Sequence, residues 1–187
     1  MIIKPIEFTL KNGIKGIIRT PVVEDAEAML DLMSTVISET EFLLRTPGES
    51  KYTLEYERDF LQKMNDSPTD TMLVCFIDGV AVATSSIWVK DHLKTKHRAQ
   101  VGIAIRKAYW NQGIGSKLFA LLTEIALENK ELMQLELEFI EGNERAKALY
   151  EKFGFKVYGV RPNSIKQLDG RLLNEYLMLK DLSDLRN

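Results

Sequence analysis

Apolar residues recur along the chain with two different periods. Where they stand three and four positions apart, the pattern predicts amphipathic helices, at residues 24–37, 53–64 and 117–128. Where they alternate with polar residues or form short runs, the pattern predicts strands, at residues 6–10, 16–19, 71–77, 80–89, 97–105, 135–139, 156–160 and 175–182. Helices and strands are interspersed, which favours one core built from both.

Short segments rich in glycine and polar residues separate these elements. Asp78-Gly79 stands between two strands and favours a two-residue hairpin turn, and Thr53 is suited to cap the helix that follows it. Residues 11–13, 67–70 and 167–171 are predicted to be turns, and residues 39–51 an irregular segment around Pro47-Gly48. We therefore expect a single domain over residues 1–187, with an α/β (α+β) fold: one mixed, mostly antiparallel sheet with helices on both faces.

A glycine-bearing loop lies between the strand at residues 97–105 and the next helix. It includes the residues Tyr109-Trp110-Asn111-Gln112-Gly113-Ile114-Gly115-Ser116. The first backbone N–H groups of a helix have no internal partner, and the helix dipole adds positive charge there. Because Gly113 and Gly115 lack β-carbons, we expect a phosphate or pyrophosphate to approach these amides. The loop is neither a P-loop nor the dinucleotide fingerprint, since it lacks their further residues.

A second motif follows the strand at residues 135–139. Asn143 is a favoured N-cap residue, and Ala146, Leu149 and Tyr150 recur after it at helical spacing. Gly154 then stands where a glycine commonly ends a helix. The segment therefore predicts a short helix between two strands.

With both motifs in this order, the chain resembles the GNAT superfamily of acetyl-CoA-dependent N-acetyltransferases. The resemblance extends over about residues 16–182, and the loop sequence is most similar to the branch with ribosomal-protein and small-amine N-acetyltransferases. It implies a GNAT-like acyl-CoA N-acyltransferase fold, in which the strands flanking the loop splay apart around the cofactor. The implied activity moves an acetyl group from acetyl-CoA to a primary amine, by direct attack in a ternary complex. The acceptor is a small molecule or a peptide N-terminus.

The same resemblance and the chemistry of acetyl transfer assign the site residues. Main-chain amides are expected to hold the pyrophosphate at Gln112, Gly113, Ile114, Gly115, Ser116 and Lys117. The backbone of Ile103, Ala104 and Ile105 is expected to pair with the pantetheine arm, with the Ile103 amide as oxyanion donor. Asn143 is expected to cap its helix and also to contact the cofactor. Tyr150 is the expected general acid, since its unperturbed pKa of about 10 lies just above that of a thiol.

The general base remains open at this stage. Gln100 stands on the strand where many relatives carry a glutamate, and an amide cannot accept the proton. The candidates are Glu39, Glu41, Glu49 and His97, or a chain of water molecules to solvent. Glu39, Glu41 and Glu49 are also candidates for attracting a cationic acceptor, although an exposed loop explains them equally well. Trp110, where many relatives have Arg or Gln, is expected to pack under the loop.

Composition limits the remaining possibilities. A net charge of −2 over 187 residues argues against nucleic acid as a general partner. Cys75, the single cysteine, lies in an apolar run and is expected to be a buried, inert thiol, and with two histidines no metal site is predicted. No segment resembles a membrane span or a signal peptide, so we expect a cytoplasmic protein. The resemblance implies a homodimer through the terminal strands. The alternative function is a catalytically silent CoA-binding module.

Overall fold

A computed structural model describes residues 2–49 and 52–186. Within these ranges the strands form one eight-stranded sheet in the order β1-β2-β3-β4-β5-β6-β8-β7. Their bounds are β1 Ile6–Thr9, β2 Lys15–Arg19, β3 Thr71–Ile77, β4 Val80–Val89, β5 Arg98–Ile105, β6 Gln134–Ile140, β7 Lys156–Lys166 and β8 Leu172–Asp181. Neighbouring strands are antiparallel except for β5 and β6, which are parallel.

The helices cover both faces of this sheet. Their bounds are α1 Ala26–Glu39, α2 Leu54–Asp66, α3 Ile114–Glu128 and α4 Glu144–Lys152. Successive residues of a strand point to opposite faces, and on β3 Val74 belongs to the core under α1 and α2, whereas Leu73 belongs to the core under α3. The predicted fold, a mixed and mostly antiparallel sheet between helices, is confirmed.

Most local signals in the sequence have the expected effect. Asp78 and Gly79 both take positive φ angles, +49° and +79°, in the turn between β3 and β4. Thr53 caps α2 by accepting the Tyr56 N–H at 3.1 Å. Gly154, at φ +83°, ends α4 in a Schellman motif, in which the Phe155 N–H donates to the Tyr150 carbonyl at 3.1 Å.

Three element boundaries differ from the prediction by three residues or more. Helix α3 begins at Ile114 rather than at residue 117, because Gly113 itself is the N-cap. Strand β7 continues to Lys166 and β8 starts at Leu172, because their hairpin stays paired up to the turn that Gln167 and Arg171 close at 2.9 Å. The irregular segment predicted at residues 39–51 has its last two residues outside the described ranges.

The parallel pair β5–β6 holds the two parts of the sheet together over a short distance. Only three residue pairs form there, from Arg98–Gln134 to Gln100–Glu136, although both strands continue well beyond them. At the paired end Arg98 donates to both carboxylate oxygens of Glu136, at 2.6 and 2.7 Å. We call this pairing the seam. Beyond the seam the strands splay apart, as the resemblance implied.

Candidate active site

A cleft of about 680 Å³ occupies the gap beyond the seam. Strands β5 and β6 form its sides, and the start of α3 and one face of α4 close one end. The predicted cofactor residues that line it are Ile103, Ala104, Ile105, Gly113, Ile114, Gly115, Ser116 and Asn143. Tyr150 lines it as well.

The backbone of β5 offers free hydrogen-bonding groups to the cleft. The Lys90 N–H donates to the Arg98 carbonyl at 3.0 Å, and the Arg106 N–H donates to the Val82 carbonyl at 2.9 Å. Because backbone groups alternate sides along an antiparallel ladder, even-numbered residues of β5 bond to β4. The N–H groups of Ile103 and Ile105 therefore point away from β4 and into the gap.

The first turn of α3 presents a second set of free donors. Gly113, the N-cap, has no side chain, and the Lys117 N–H makes the first helical bond, to the Gly113 carbonyl at 3.0 Å. Over the described chain, the N–H groups of Ile114, Gly115 and Ser116 have no acceptor. Three adjacent free amides at a helix N-terminus form a site for an anion.

The two glycines of the loop have different local requirements. Gly113 has a φ of +92°, a conformation that residues with a β-carbon disfavour, and an added methyl group would come no closer than 4.0 Å to another atom, Cγ of Lys11. At Gly115 a β-carbon would lie 3.0 Å from a methyl group of Leu149. The sequence pattern predicts phosphate access at both glycines. The structure shows a backbone requirement at one and close packing of α3 on α4 at the other.

Basic side chains that the sequence analysis did not select surround this anion site. Lys152 donates from Nζ to Ser116 Oγ at 3.1 Å, and Lys11 also lines the cleft. The Arg145 guanidinium lies 3.0 Å from the centroid of the Trp110 ring, whose Nε1 donates to the Ile105 carbonyl at 2.8 Å. Trp110 is thus half-buried at the cleft and fixes the loop to β5. The lysines carried no sequence signal, because similar residues occur over the whole surface.

Tyr150 has an almost fully buried ring. Its ring centroid lies 5.4 Å from that of Phe119 and 6.3 Å from those of Phe139 and Phe155. Burial raises its pKa to about 12. No group in the described ranges hydrogen-bonds to its hydroxyl. The phenol is thus a neutral donor without a protein partner, at a cleft.

Asn143 has the structural role that the sequence predicted. It is the N-cap of α4, and its side-chain oxygen accepts the Ala146 N–H at 3.3 Å. It also lines the cleft, so capping and a cofactor contact are compatible.

Two predicted phosphate-loop residues do not line the cleft. The Gln112 carbonyl accepts the Lys11 N–H at 3.2 Å, which ties the loop to the turn between β1 and β2. Lys117 directly follows the three free amides, and its own N–H is already bonded to the Gly113 carbonyl. The lysine that contacts Ser116 is Lys152, from α4.

The candidate acidic residues are engaged elsewhere. Glu39 accepts the Lys107 N–H at 2.6 Å, and Glu41 accepts from Arg171 at 2.8 Å. Glu49 accepts from Thr46, a contact that lowers its pKa. None of these three carboxylates lines the cleft. The cleft therefore offers no support for the two roles suggested for them, as general base or as binding groups for a cationic substrate.

His97 does not reach the cleft either. It precedes β5 at the paired end of the seam, where its carbonyl accepts the Met133 N–H at 2.7 Å. The strands diverge only beyond Gln100, so the imidazole belongs to the opposite end of β5 from Ile103. The position is unsuited to a general base acting at Ile103.

Other carboxylates line the cleft instead. Glu138 on β6 and Glu175 on β8 both pair with Arg161, at 3.0 and 2.7 Å. The Glu175 side chain is 9% exposed and that of Glu138 is 34% exposed, so Glu138 is the more accessible. The sequence did contain a signal, because Glu138 alternates with apolar residues on a strand that borders the gap.

The described ranges also bear on the single cysteine, on metal binding and on membrane-spanning helices. Cys75 is fully buried, and burial raises its pKa to about 12, which confirms the inert thiol. No group of three or more His, Cys, Asp or Glu residues there is arranged to hold a metal ion. None of the helices in the same ranges combines the length and apolar character needed to cross a membrane.

Comparisons with known proteins agree with this geometry. The family model described as "Acetyltransferase (GNAT) family" matches residues 37–155. A Bacillus subtilis (strain 168) protein named "Putative ribosomal protein bS18-alanine N-acetyltransferase" is 32% identical over 116 residues, which cover 61% of this chain and 73% of that protein.

Solved structures show the same fold. The acetyltransferase of GNAT family from Streptococcus pneumoniae superimposes with a TM-score of 0.84 at 28% identity, covering 89% of this chain and 98% of that one. A phosphinothricin acetyltransferase from Sinorhizobium meliloti, solved in complex with AcCoA, superimposes with a TM-score of 0.78 at 14% identity over 95% of this chain and 90% of that one. The chain therefore belongs to the acetyltransferase (GNAT) family, and it is an N-acetyltransferase that uses acetyl-CoA as its acetyl donor.

Proposed function

We propose that the protein acetylates a primary amine by direct attack on acetyl-CoA bound in the cleft. The observation that carries this proposal is the convergence of three features in one cleft: free amides on β5, free amides at the start of α3, and the unpartnered hydroxyl of Tyr150. The pyrophosphate would bind the amides of Ile114 to Ser116, with Lys152 screening its charge. The pantetheine arm would pair with β5 as an added strand.

The reaction then needs an oxyanion donor. When the amine nitrogen bonds to the thioester carbon, negative charge develops on the carbonyl oxygen. The Ile103 N–H points into the gap, without a protein acceptor among the described residues, and is the proposed donor. A main-chain donor held in a sheet needs no reorganisation as the charge develops, which is what lowers the barrier.

Proton transfers complete the chemistry. The C–S bond breaks, and the departing thiolate accepts a hydrogen bond and a proton from the Tyr150 hydroxyl. The phenolate that remains regains a proton from water in the cleft before the next turnover. Burial raises the pKa of Tyr150 to about 12, so the phenol stays protonated until the thiolate leaves. Glu138, directly or through water, is the proposed acceptor for the proton that the attacking nitrogen loses. The products are the N-acetyl amine and CoA with a free thiol.

The test combines a thiol-release assay with variants of the two competing groups of carboxylates. With acetyl-CoA and a panel of primary amines, wild-type protein is expected to release CoA thiol only when an amine is present. Glu138→Gln is expected to lower kcat by about 10²-fold, the usual size of a general-base effect. Glu49→Gln, which removes a carboxylate outside the cleft, is the matched control and is expected to keep full activity.

Two results would contradict the proposal. Equal activity of Glu138→Gln and wild type would remove the base, and CoA binding without thiol release across the panel would favour the silent CoA-binding module. That alternative is not favoured by the family to which the chain belongs. A cytoplasmic location, a homodimer through the terminal strands and a single domain over residues 1–187 remain predictions.

A further inference from the structure

A second cavity, of about 470 Å³, lies between α1 and α2 on the face of the sheet opposite α3. We call it the α1–α2 cavity. It shares the lining residues Met33, Met72 and Thr84 with the cleft, so the two spaces adjoin. Thr84 pairs across the sheet with Ala104, the neighbour of Ile103. A molecule in the α1–α2 cavity therefore lies beside the part of β5 at which the thioester is proposed to bind.

The α1–α2 cavity is mostly apolar and contains one buried carboxylate. Methionine and aromatic side chains supply much of its wall, including Met29, Met33, Tyr56, Phe60 and Met72. Such walls adapt to apolar ligands of different shape, and aromatic faces also attract cations. Glu57, on the first turn of α2, also lines the cavity and is only 8% exposed.

Over residues 2–49 and 52–186 no side chain or N–H group donates a hydrogen bond to the Glu57 carboxylate. Arg45 also lines the cavity, but its guanidinium lies over the Tyr52 ring, 4.5 Å from the ring centroid, and makes no ion pair with Glu57 in the described ranges. Burial raises the pKa of Glu57, while the charge of Arg45 acts in the opposite direction. A buried carboxylate without a partner is costly, so the cavity favours a ligand that brings a positive charge.

We propose that the α1–α2 cavity is the acceptor site, and that Glu57 binds a second cationic nitrogen at the far end of the acceptor. This inference rests on the proposed function. The acceptor class is a primary amine joined by an apolar stem to another ammonium group, as in linear diamines. With its distal nitrogen on Glu57 and its stem along the methionines, such a molecule extends its reacting amine toward Ile103.

The experiment compares linear diamines with alkylamines of matched length. For wild type, kcat/KM is expected to be about 10- to 100-fold higher for the best diamine than for its alkylamine match, the usual effect of one charge-assisted hydrogen bond. Glu57→Gln is expected to abolish this preference, by lowering kcat/KM for the diamine to the value for its alkylamine match. Glu55→Gln, an exposed carboxylate on the same turn of α2 that does not line the cavity, is the matched control and keeps the preference. Thermal unfolding of both variants checks their folding.

A binding measurement separates this inference from the proposed function. Calorimetric titration of the diamine into protein without coenzyme is expected to give a signal with wild type and Glu55→Gln, and none with Glu57→Gln. If alkylamines and diamines are acetylated equally well, or Glu57→Gln behaves like Glu55→Gln, the inference is overturned and the acetyltransferase mechanism stands. If the diamine binds through Glu57 but no amine is acetylated, the cation site stands and the proposed mechanism fails.

Discussion

Tyr150 combines a place in the packed core with the proposed role of general acid. Its ring contacts Phe119, Phe139 and Phe155, which fix its orientation, while its hydroxyl has no hydrogen-bond partner in the described part of the chain. Burial raises its pKa, and the phenol is neutral below that pKa. The donor form is therefore fully populated over the whole working range of about pH 6 to 10.

Replacing Tyr150 by phenylalanine keeps the packing and removes the donor. We expect kcat to fall by about 10²-fold in Tyr150→Phe, with little change in the affinity for CoA. Because the phenol does not titrate in this range, the shape of the pH profile of kcat is expected to stay the same. Steady-state kinetics from about pH 6 to 10 measure both effects.

Tyr176→Phe is the control for this substitution. Tyr176 also stacks on Phe139, at 5.1 Å between centroids, but it does not line the cleft. Its variant is expected to match wild type. A pH profile that loses its alkaline limb in Tyr150→Phe would mean that the phenol ionises there, against the raised pKa.

At the scale of elements, two helix ends use the same backbone conformation for different purposes. Gly113, the N-cap of α3, has a φ of +92°. Gly154, which follows the end of α4, has a φ of +83°. At neither position does a β-carbon meet an atom closer than 4.0 Å, so the strain of a substitution comes from the backbone alone. Only Gly113 lines the cleft.

Because the two glycines share a backbone conformation and only one of them lines the cleft, their variants separate an effect on fold stability from an effect on ligand binding. Gly113→Ala and Gly154→Ala are both expected to lose about 1–2 kcal/mol of unfolding free energy, the cost of a β-carbon in the left-handed region. Only Gly113→Ala is expected to weaken CoA binding, by about tenfold or more, because relaxing the strain turns the α3 amides away from the anion. Urea denaturation and calorimetry measure the two quantities. Equal CoA affinity in both variants would contradict the assignment of the anion site.

The sequence predicts the elements and their ends well, because their causes are local. The Asp78-Gly79 turn, the Thr53 and Asn143 caps and the end of α4 at Gly154 each depend on a few neighbouring residues. The contact of Glu41 with Arg171 does not depend on neighbouring residues, since it joins residues 130 positions apart. Which loop carboxylates face the cleft is thus a property of the folded chain.

The same limit applies to the residues that the sequence analysis did not select. Glu57 occupies the first turn of an amphipathic helix, where acidic residues are common and usually solvated. The packing of α1 on α2 and the loop at residues 45–48 enclose it in the folded chain. The ion pairs of Arg161 likewise depend on folding, because their carboxylates, Glu138 and Glu175, lie on two other strands of the sheet.

At the scale of the whole molecule, the seam determines where the sheet opens into the cleft. Three residue pairs join the two parts of the sheet, and the gap beyond them exposes the amides of Ile103 and Ile105. An added strand in that gap would give these amides acceptors. The proposed pantetheine arm is such a strand.

Hydrogen exchange measured residue by residue tests this arrangement. Without coenzyme, the Ile103 and Ile105 amides are expected to exchange quickly, and bound CoA is expected to slow at least one of them strongly. Ala104 is the internal control, because its amide bonds to β4 and is expected to be protected in both states. Unchanged exchange at Ile103 and Ile105 in the presence of saturating CoA would rule out pairing with β5.

Bound coenzyme is proposed to complete the sheet, so the free energy of unfolding depends on how much coenzyme is present. A compound that binds only the folded state adds about 2.7 kcal/mol when its free concentration is a hundred times Kd. A melting temperature for this protein therefore has meaning only beside the amount of free coenzyme in the tube. In a living cell, proteases act on the unfolded fraction, so the lifetime of the enzyme is expected to rise and fall with the supply of its acetyl donor.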